Sequence, residues 1–147
     1  MKRILFLLIF LSLFLSACGG GQTASLAGTW KLNAYGPKET PTPAVTGAEA
    51  TLTFDKNGSV TGNGGCNSMG GSYKVDDHKI TFSEIISTLM ACDDARMAQE
   101  GAVAKVLSGT ATYELKDNTL TLTNGDTVLI FTSASNSYPA PSSYPYP

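Results

Sequence analysis

Histidine occurs once in this chain, as His78, and tryptophan once, as Trp30. One imidazole cannot supply the paired ligands of an H-E-x-x-H metal site, and no G-x-S-x-G elbow is present to seat a nucleophile. Charge is sparse as well. Ten Lys and Arg against twelve Asp and Glu leave a formal net charge of −2, so the basic footprint of a nucleic-acid binder is missing. The carboxylates are scattered, and short runs such as Asp76-Asp77 and Asp93-Asp94 read as solvated turn or helix-start residues. These absences make catalysis an unexpected role, and no catalytic residue, metal, cofactor or nucleic-acid partner is assigned.

Long apolar runs are missing too, except at the start. Lys2 and Arg3 precede Ile4 to Leu15, a run of Ile, Leu and Phe relieved only by Ser12. Its length is about half the roughly 20 residues a spanning helix needs, which suits a signal peptide. The run ends in Leu15-Ser16-Ala17-Cys18, similar to the lipobox of bacterial lipoproteins, in which the cysteine becomes the lipidated first residue. Residues 1–17 are therefore expected to be a lipoprotein signal peptide, Cys18 the lipid anchor, and residues 18–25, with Gly19 to Gly21, a flexible tether. The expected location is the cell envelope, on the extracytoplasmic side of a membrane. Residues 26–132 suffice for one domain. Residues 133–147, SASNSYPAPSSYPYP, form a Pro, Ser and Tyr tail expected to be extended and disordered.

Cysteine is scarce: besides Cys18, only Cys66 and Cys92 remain. In an exported chain an even pair is a disulfide by default, and a 27-residue loop closed this way stabilises a fold by about 3.5 kcal/mol in the chain-entropy description. Two free buried thiols are the other reading. A zinc site with His78 lacks the usual paired spacing. Cys66 sits in Thr61-Gly-Asn-Gly-Gly-Cys-Asn67, whose glycines raise the question of a phosphate loop. A P-loop must run into a lysine and a helix, whereas Gly71-Ser72-Tyr73-Lys74-Val75 alternates like a strand. The stretch is better suited to a sharp bend in a β-sheet.

The remaining pattern is that of a β-rich frame around one helix. Strands are expected at Leu26–Tyr35, Ala50–Phe54, Ser59–Gly62, Ser72–Val75, Lys79–Phe82, Ile86–Met90, Ala111–Leu115, Thr119–Thr123 and Thr127–Phe131. Asn57-Gly58 and Asn124-Gly125 are strong hairpin turns, with Asp76-Asp77 and Asp117-Asn118 weaker ones. Alternation turns Leu52, Phe54, Tyr73, Val75, Ile80, Phe82, Leu120 and Leu122 inward. A helix capped by Asp93 or Asp94 and running to about Leu107 has Met97, Val103, Ala104 and Leu107 on one side, and Ala95, Ala98, Ala102 and Val106 on another. A helix apolar on two sides is expected to insert between sheet surfaces. Arg96 and Glu100, spaced i,i+4, suggest either a mutual pair or a bond from Glu100 to nearby backbone.

Leu26-x-Gly28-Thr29-Trp30, Thr53-Phe54-x6-Thr61-Gly62-x-Gly64-Gly65-Cys66-Asn67 with Gly71-Ser72-Tyr73, and Thr88-Leu89-Met90-Ala91-Cys92 together resemble the META domain of HslJ-like bacterial lipoproteins. Val103 departs from the larger aromatic carried by many relatives. The resemblance implies an α+β fold, a strongly bent antiparallel sheet or incomplete β-barrel with one packed helix, similar to type III secretion pilotins. It also implies a stress-related or assembly role. Two functions then follow as expectations. One is an interaction factor that holds an unidentified envelope protein through the groove beside the helix, near Arg96, Gln99 and Glu100. The other is a carrier or sensor of a small apolar ligand within the incomplete barrel.

Overall fold

The computed structural model describes residues 26–134. The signal peptide, Cys18, the tether and residues 135–147 lie outside the described residues. Nine strands and one helix follow in the order β1 (Gly28–Pro37), β2 (Thr42–Pro43), β3 (Thr51–Phe54), β4 (Ser59–Asn63), β5 (Ser68–Asp76), β6 (Lys79–Ser87), α1 (Asp94–Val106), β7 (Thr110–Lys116), β8 (Thr119–Asn124) and β9 (Thr127–Ser133). Each pairs antiparallel with its neighbour in the sheet. β1 carries β3 on one edge through Gly28 to Lys31 and β9 on the other through Trp30 to Pro37. The sheet therefore closes on itself as an eight-stranded barrel, with β2 a short addition to β1. This corrects the incomplete barrel: a register shift between Leu32 and Ala34 bends β1 enough for both neighbours to reach it. The barrel wall is thinnest between β6 and β7, where only Lys79–Thr81 face Thr110–Thr112.

Alternation fills the barrel axis with side chains. Leu52, Phe54, Ile80, Leu120, Leu122, Leu129 and Phe131 are essentially without exposed surface, and Phe54 meets Tyr73 edge to face at 5.0 Å. Val75 lies opposite the buried Ile80, yet it stays 38% exposed because β4 pairs with β5 no further than Ser72 and leaves the end of β5 uncovered at the lower pole of the barrel. At this lower pole the strands are joined by short turns. Gly58 takes φ +89° after Asn57, and Asp77 and Asp117 adopt positive φ at the next two hairpins.

The upper pole is built differently. β6 ends at Ser87, and the expected strand Ile86–Met90 exists only as the last two residues of β6. Asp93 then caps α1 by accepting the N–H of Arg96. The helix lies across the end of the barrel and is covered on one side only, which corrects the expected insertion between two sheet surfaces. Gln99, Val103, Val106 and Leu107 are buried, whereas Ala95, Ala98 and Ala104 are exposed and Met97 keeps 41% of its surface. Alanine gives up little by facing water, so a run of alanines does not mark a second buried face.

Candidate functional site

Two side chains tie the helix to the glycine-rich corner. Gln99 has no exposed surface. Its Oε1 accepts the Val45 N–H at 2.8 Å, and its Nε2 donates to the carbonyls of Ala48 (3.2 Å) and Gly64 (3.0 Å). A Cβ on Gly65 would stand 2.3 Å from Gln99 Nε2, and Gly65 holds φ +109°, so glycine is required there twice over. At Gly64 the obstruction would be the Glu100 side chain, 2.8 Å from an added Cβ. The corner is thus shaped to receive two consecutive helix residues. This is why TGNGGCN needs Gly64 and Gly65, while at Gly62 an added Cβ would stand 2.1 Å from the Thr51 carbonyl of the adjacent strand.

Asn67, 2% exposed, organises the other side. Its backbone N–H and Nδ2 donate to the two carboxylate oxygens of Glu100, at 2.6 and 2.7 Å. Nδ2 also donates to the Met90 carbonyl at 3.0 Å, while Oδ1 accepts the Met90 N–H at 2.6 Å and the Thr88 hydroxyl at 2.8 Å. Both amide protons and both lone pairs are used. Thr88–Met90 leave the sheet because the Asn67 amide takes the place of a partner strand for Met90. Beside it, Cys66 and Cys92 are joined as a disulfide, fixing the same segment to the corner.

Glu100 is therefore bonded to Asn67, its backbone N–H included, and not to Arg96. Arg96 pairs with Asp93 at 3.2 Å and donates to the Gly47 carbonyl. Of the three positions expected to border a groove, Gln99 has no surface to offer a partner, since its contacts are spent inside the fold. Arg96 and Glu100 are half-buried. Every buried side-chain nitrogen or oxygen among the described residues has a hydrogen-bond partner. No three His, Cys, Asp or Glu among the described residues gather as a metal site.

A groove does run beside the helix, on the face turned toward β6. It is a cleft of about 250 Å³ lined by Met69, Ile85, Ser87, Glu100, Ala104 and Leu107. A second cleft of about 270 Å³, lined by Ser68, Met69, Gly70, Ile86, Ser87 and Thr88, shares Met69 and Ser87 with it. Between them and the helix start stand the most exposed large apolar side chains of the domain, Leu89 (98%), Ile86 (75%) and Met90 (57%). Sequence reasoning missed this rim because Ile86–Met90 reads as a strand, and one face of a strand would be buried. A larger cleft of about 410 Å³ by His78, Tyr113 and Glu114 lies on the outer face of β7 and β8. Its lining is threonine-rich, and no exposed apolar rim adjoins it.

The architecture defines a class: a closed, eight-stranded antiparallel barrel with a filled axis and one helix across its end. The META domain family matches residues 24–136; the chain belongs to that family. It is similar to an NMR structure of a protein from Burkholderia xenovorans at 25% identity, covering 74% of this chain and 82% of that one with a TM-score of 0.61. A second NMR structure is 21% identical, with 73% and 89% of the chains covered and a TM-score of 0.58. A crystal structure of a DUF4847 family protein from Bacteroides vulgatus shares 16% identity over 72% and 92% of the chains, with a TM-score of 0.50. The last two likenesses show the fold alone. No functionally curated protein matches the chain.

Proposed function

We propose that this META-domain chain is a non-enzymatic lipoprotein of the cell envelope, anchored through Cys18, that holds a partner protein on the apolar rim of Ile86, Leu89 and Met90 and the adjoining cleft. The observation that carries the reading is Leu89. Its side chain is 98% exposed on a segment that is tied down on both sides, at Thr88 by Asn67 and the Ser68 carbonyl, and beyond it by Asn67 at Met90 and the disulfide at Cys92. Burying such a side chain is worth about 1.5–3 kcal/mol, so three exposed apolar residues on a fixed scaffold forgo several kcal/mol that a partner would recover. A pre-ordered anchor also spares the entropy of fixing it on binding. The filled barrel axis makes the surface cleft, and not the barrel interior, the place where a small apolar ligand would compete. The stress association of HslJ-like relatives would fit such an interaction factor.

Crosslinking in cells from a photoreactive residue at Leu89 tests the reading. It is expected to yield a discrete protein adduct that is missing when the residue is placed at Thr112, which pairs with Lys79 at the opposite end of β6. Lipid adducts at Leu89 in place of protein would move the function to a carrier of small apolar ligands. The anchor has its own test: Cys18→Ser is expected to abolish labelling by a fatty-acid probe, and continued labelling would contradict it.

A further inference from the structure

The proposed partner surface borders an unfinished sheet edge. β6 continues to Ser87, yet β7 pairs with it only as far as Thr81, and the Phe82 N–H is taken by the Gly109 carbonyl. Beyond that point the chain diverges into the helix, and the cleft of Met69, Ile85, Ala104 and Leu107 opens in the gap. Which backbone groups face the gap follows from the ladder with β5. Thr88 donates its N–H to the Ser68 carbonyl, and Ser87 lies opposite Met69. Alternation then turns the Ser87 N–H, the Ser87 carbonyl and the Ile85 carbonyl away from β5. None of the three makes a hydrogen bond within the described residues.

One donor flanked by two acceptors in extended register is the pattern one strand offers another. Charge narrows the choice of occupant. Glu100 forms part of the cleft wall, and Glu84, exposed with φ +55°, sits in a bulge of the same free stretch. Neither has a cationic partner among the described residues. A bulge bearing a carboxylate disfavours pairing with a second copy of this edge, which would bring Glu84 toward its own kind. The tail of this chain is a poor occupant too, because its four prolines, Pro139, Pro141, Pro145 and Pro147, cannot donate to a ladder.

We infer that Ser83–Ser87 of β6 is a strand-addition site. Its occupant is an extended segment of the partner protein, with apolar side chains at alternate positions entering the cleft and, on its opposite face, a Lys or Arg directed to Glu84. This inference rests on the partner-binding reading above and specifies how the partner is held. Alternate side chains give selectivity, while the backbone bonds are indifferent to sequence.

The test uses the full chain, labelled with ¹⁵N, and the peptide acetyl-Thr-Val-Lys-Val-Thr-amide as probe. At millimolar peptide the Ser87 amide is expected to gain protection from hydrogen exchange, with shift changes concentrated in Ser83–Ser87 and the cleft side of α1. N-methylation of alternate peptide nitrogens is expected to weaken binding by about tenfold or more, the cost of a lost hydrogen bond. Lys→Glu in the peptide is expected to weaken it as well. Ser87→Pro removes the free N–H while sparing the β5 ladder, and is expected to abolish the peptide-induced shift changes at Ser83–Ile86 and on the cleft side of α1. An unprotected Ser87 amide, or equal binding by the N-methylated peptide, overturns strand addition. A protein adduct at Leu89 together with that result would leave the partner-binding surface standing and refute only the strand mode.

Discussion

The two poles of the barrel are closed by different means. At the lower pole, hairpin turns bond to themselves: Asn57 Oδ1 accepts the N–H and hydroxyl of Ser59, and Asp55 Oδ1 accepts the Asn57 N–H. At the upper pole, closure depends on residues far apart in sequence. Gln99 reaches Val45, Ala48 and Gly64, Asn67 reaches Glu100 and Met90, and Cys66 reaches Cys92. Local closure can be altered turn by turn with small effect. Long-range closure concentrates stability in a few buried polar atoms, and it allows a segment without regular structure to be held rigid enough to display Leu89.

The upper pole is weakened most by the loss of Gln99. Gln99→Leu keeps the volume but orphans the Val45 N–H and the carbonyls of Ala48 and Gly64, at about 1–3 kcal/mol for each buried group. Chemical denaturation is expected to show a loss of about 4 kcal/mol. A loss below about 1 kcal/mol would mean that the corner does not depend on the helix. Reducing the Cys66–Cys92 bridge releases a loop spanning a sequence separation of 26 and is expected to cost up to about 3.5 kcal/mol, read as a lower melting temperature. Peptide mapping without reductant should join the two cysteine peptides, and free alkylation of both would contradict the bridge.

Much of the lower pole was legible in the sequence, since Asn57-Gly58, Asp117-Asn118 and the alternation of Leu120 and Leu122 carry their meaning within a few residues. The disulfide was legible by counting. The upper pole was not, and the reasons are particular. Gln99 heads the stripe Gln99, Val103, Val106, Leu107, whose i, i+4, i+7, i+8 spacing marks a buried face. A polar residue there signals a buried tether, but nothing local names Val45 or Gly64 as its partners. Exposed alanines imitated a second apolar face. Leu89 and Met90 read as strand because the competing pairing comes from a side-chain amide 23 residues away, the separation of Asn67 and Met90.

Two smaller effects belong to the lower pole. Asn57→Ala, at an exposed turn, is expected to cost about 0.5–1 kcal/mol, several-fold less than Gln99→Leu. A larger loss would show that the lower pole is not locally closed. Tyr73 donates its hydroxyl to the Asp55 carbonyl, and its pKa is raised by partial burial and, secondarily, by the Asp55 charge. A phenol whose folded pKa is raised adds stability that is complete below its unfolded value near 10 and is lost as pH rises through the folded value. Tyr73→Phe is therefore expected to flatten the alkaline end of the stability profile and to cost about 0.5–1.5 kcal/mol at neutral pH, where the bond to Asp55 is lost. An unaltered slope would contradict the assignment.

The most direct measurement couples stability to capture at the upper pole. The double variant Ile86→Asp, Leu89→Asp, carrying a photoreactive residue at the exposed Met97, is compared with the same probe in the unaltered rim. Both rim side chains face solvent, so the melting temperature is expected to change by no more than about 3 °C, while the protein adduct disappears. An undiminished adduct, or a destabilisation as large as that of Gln99→Leu, would show that the rim belongs to the fold and not to a partner.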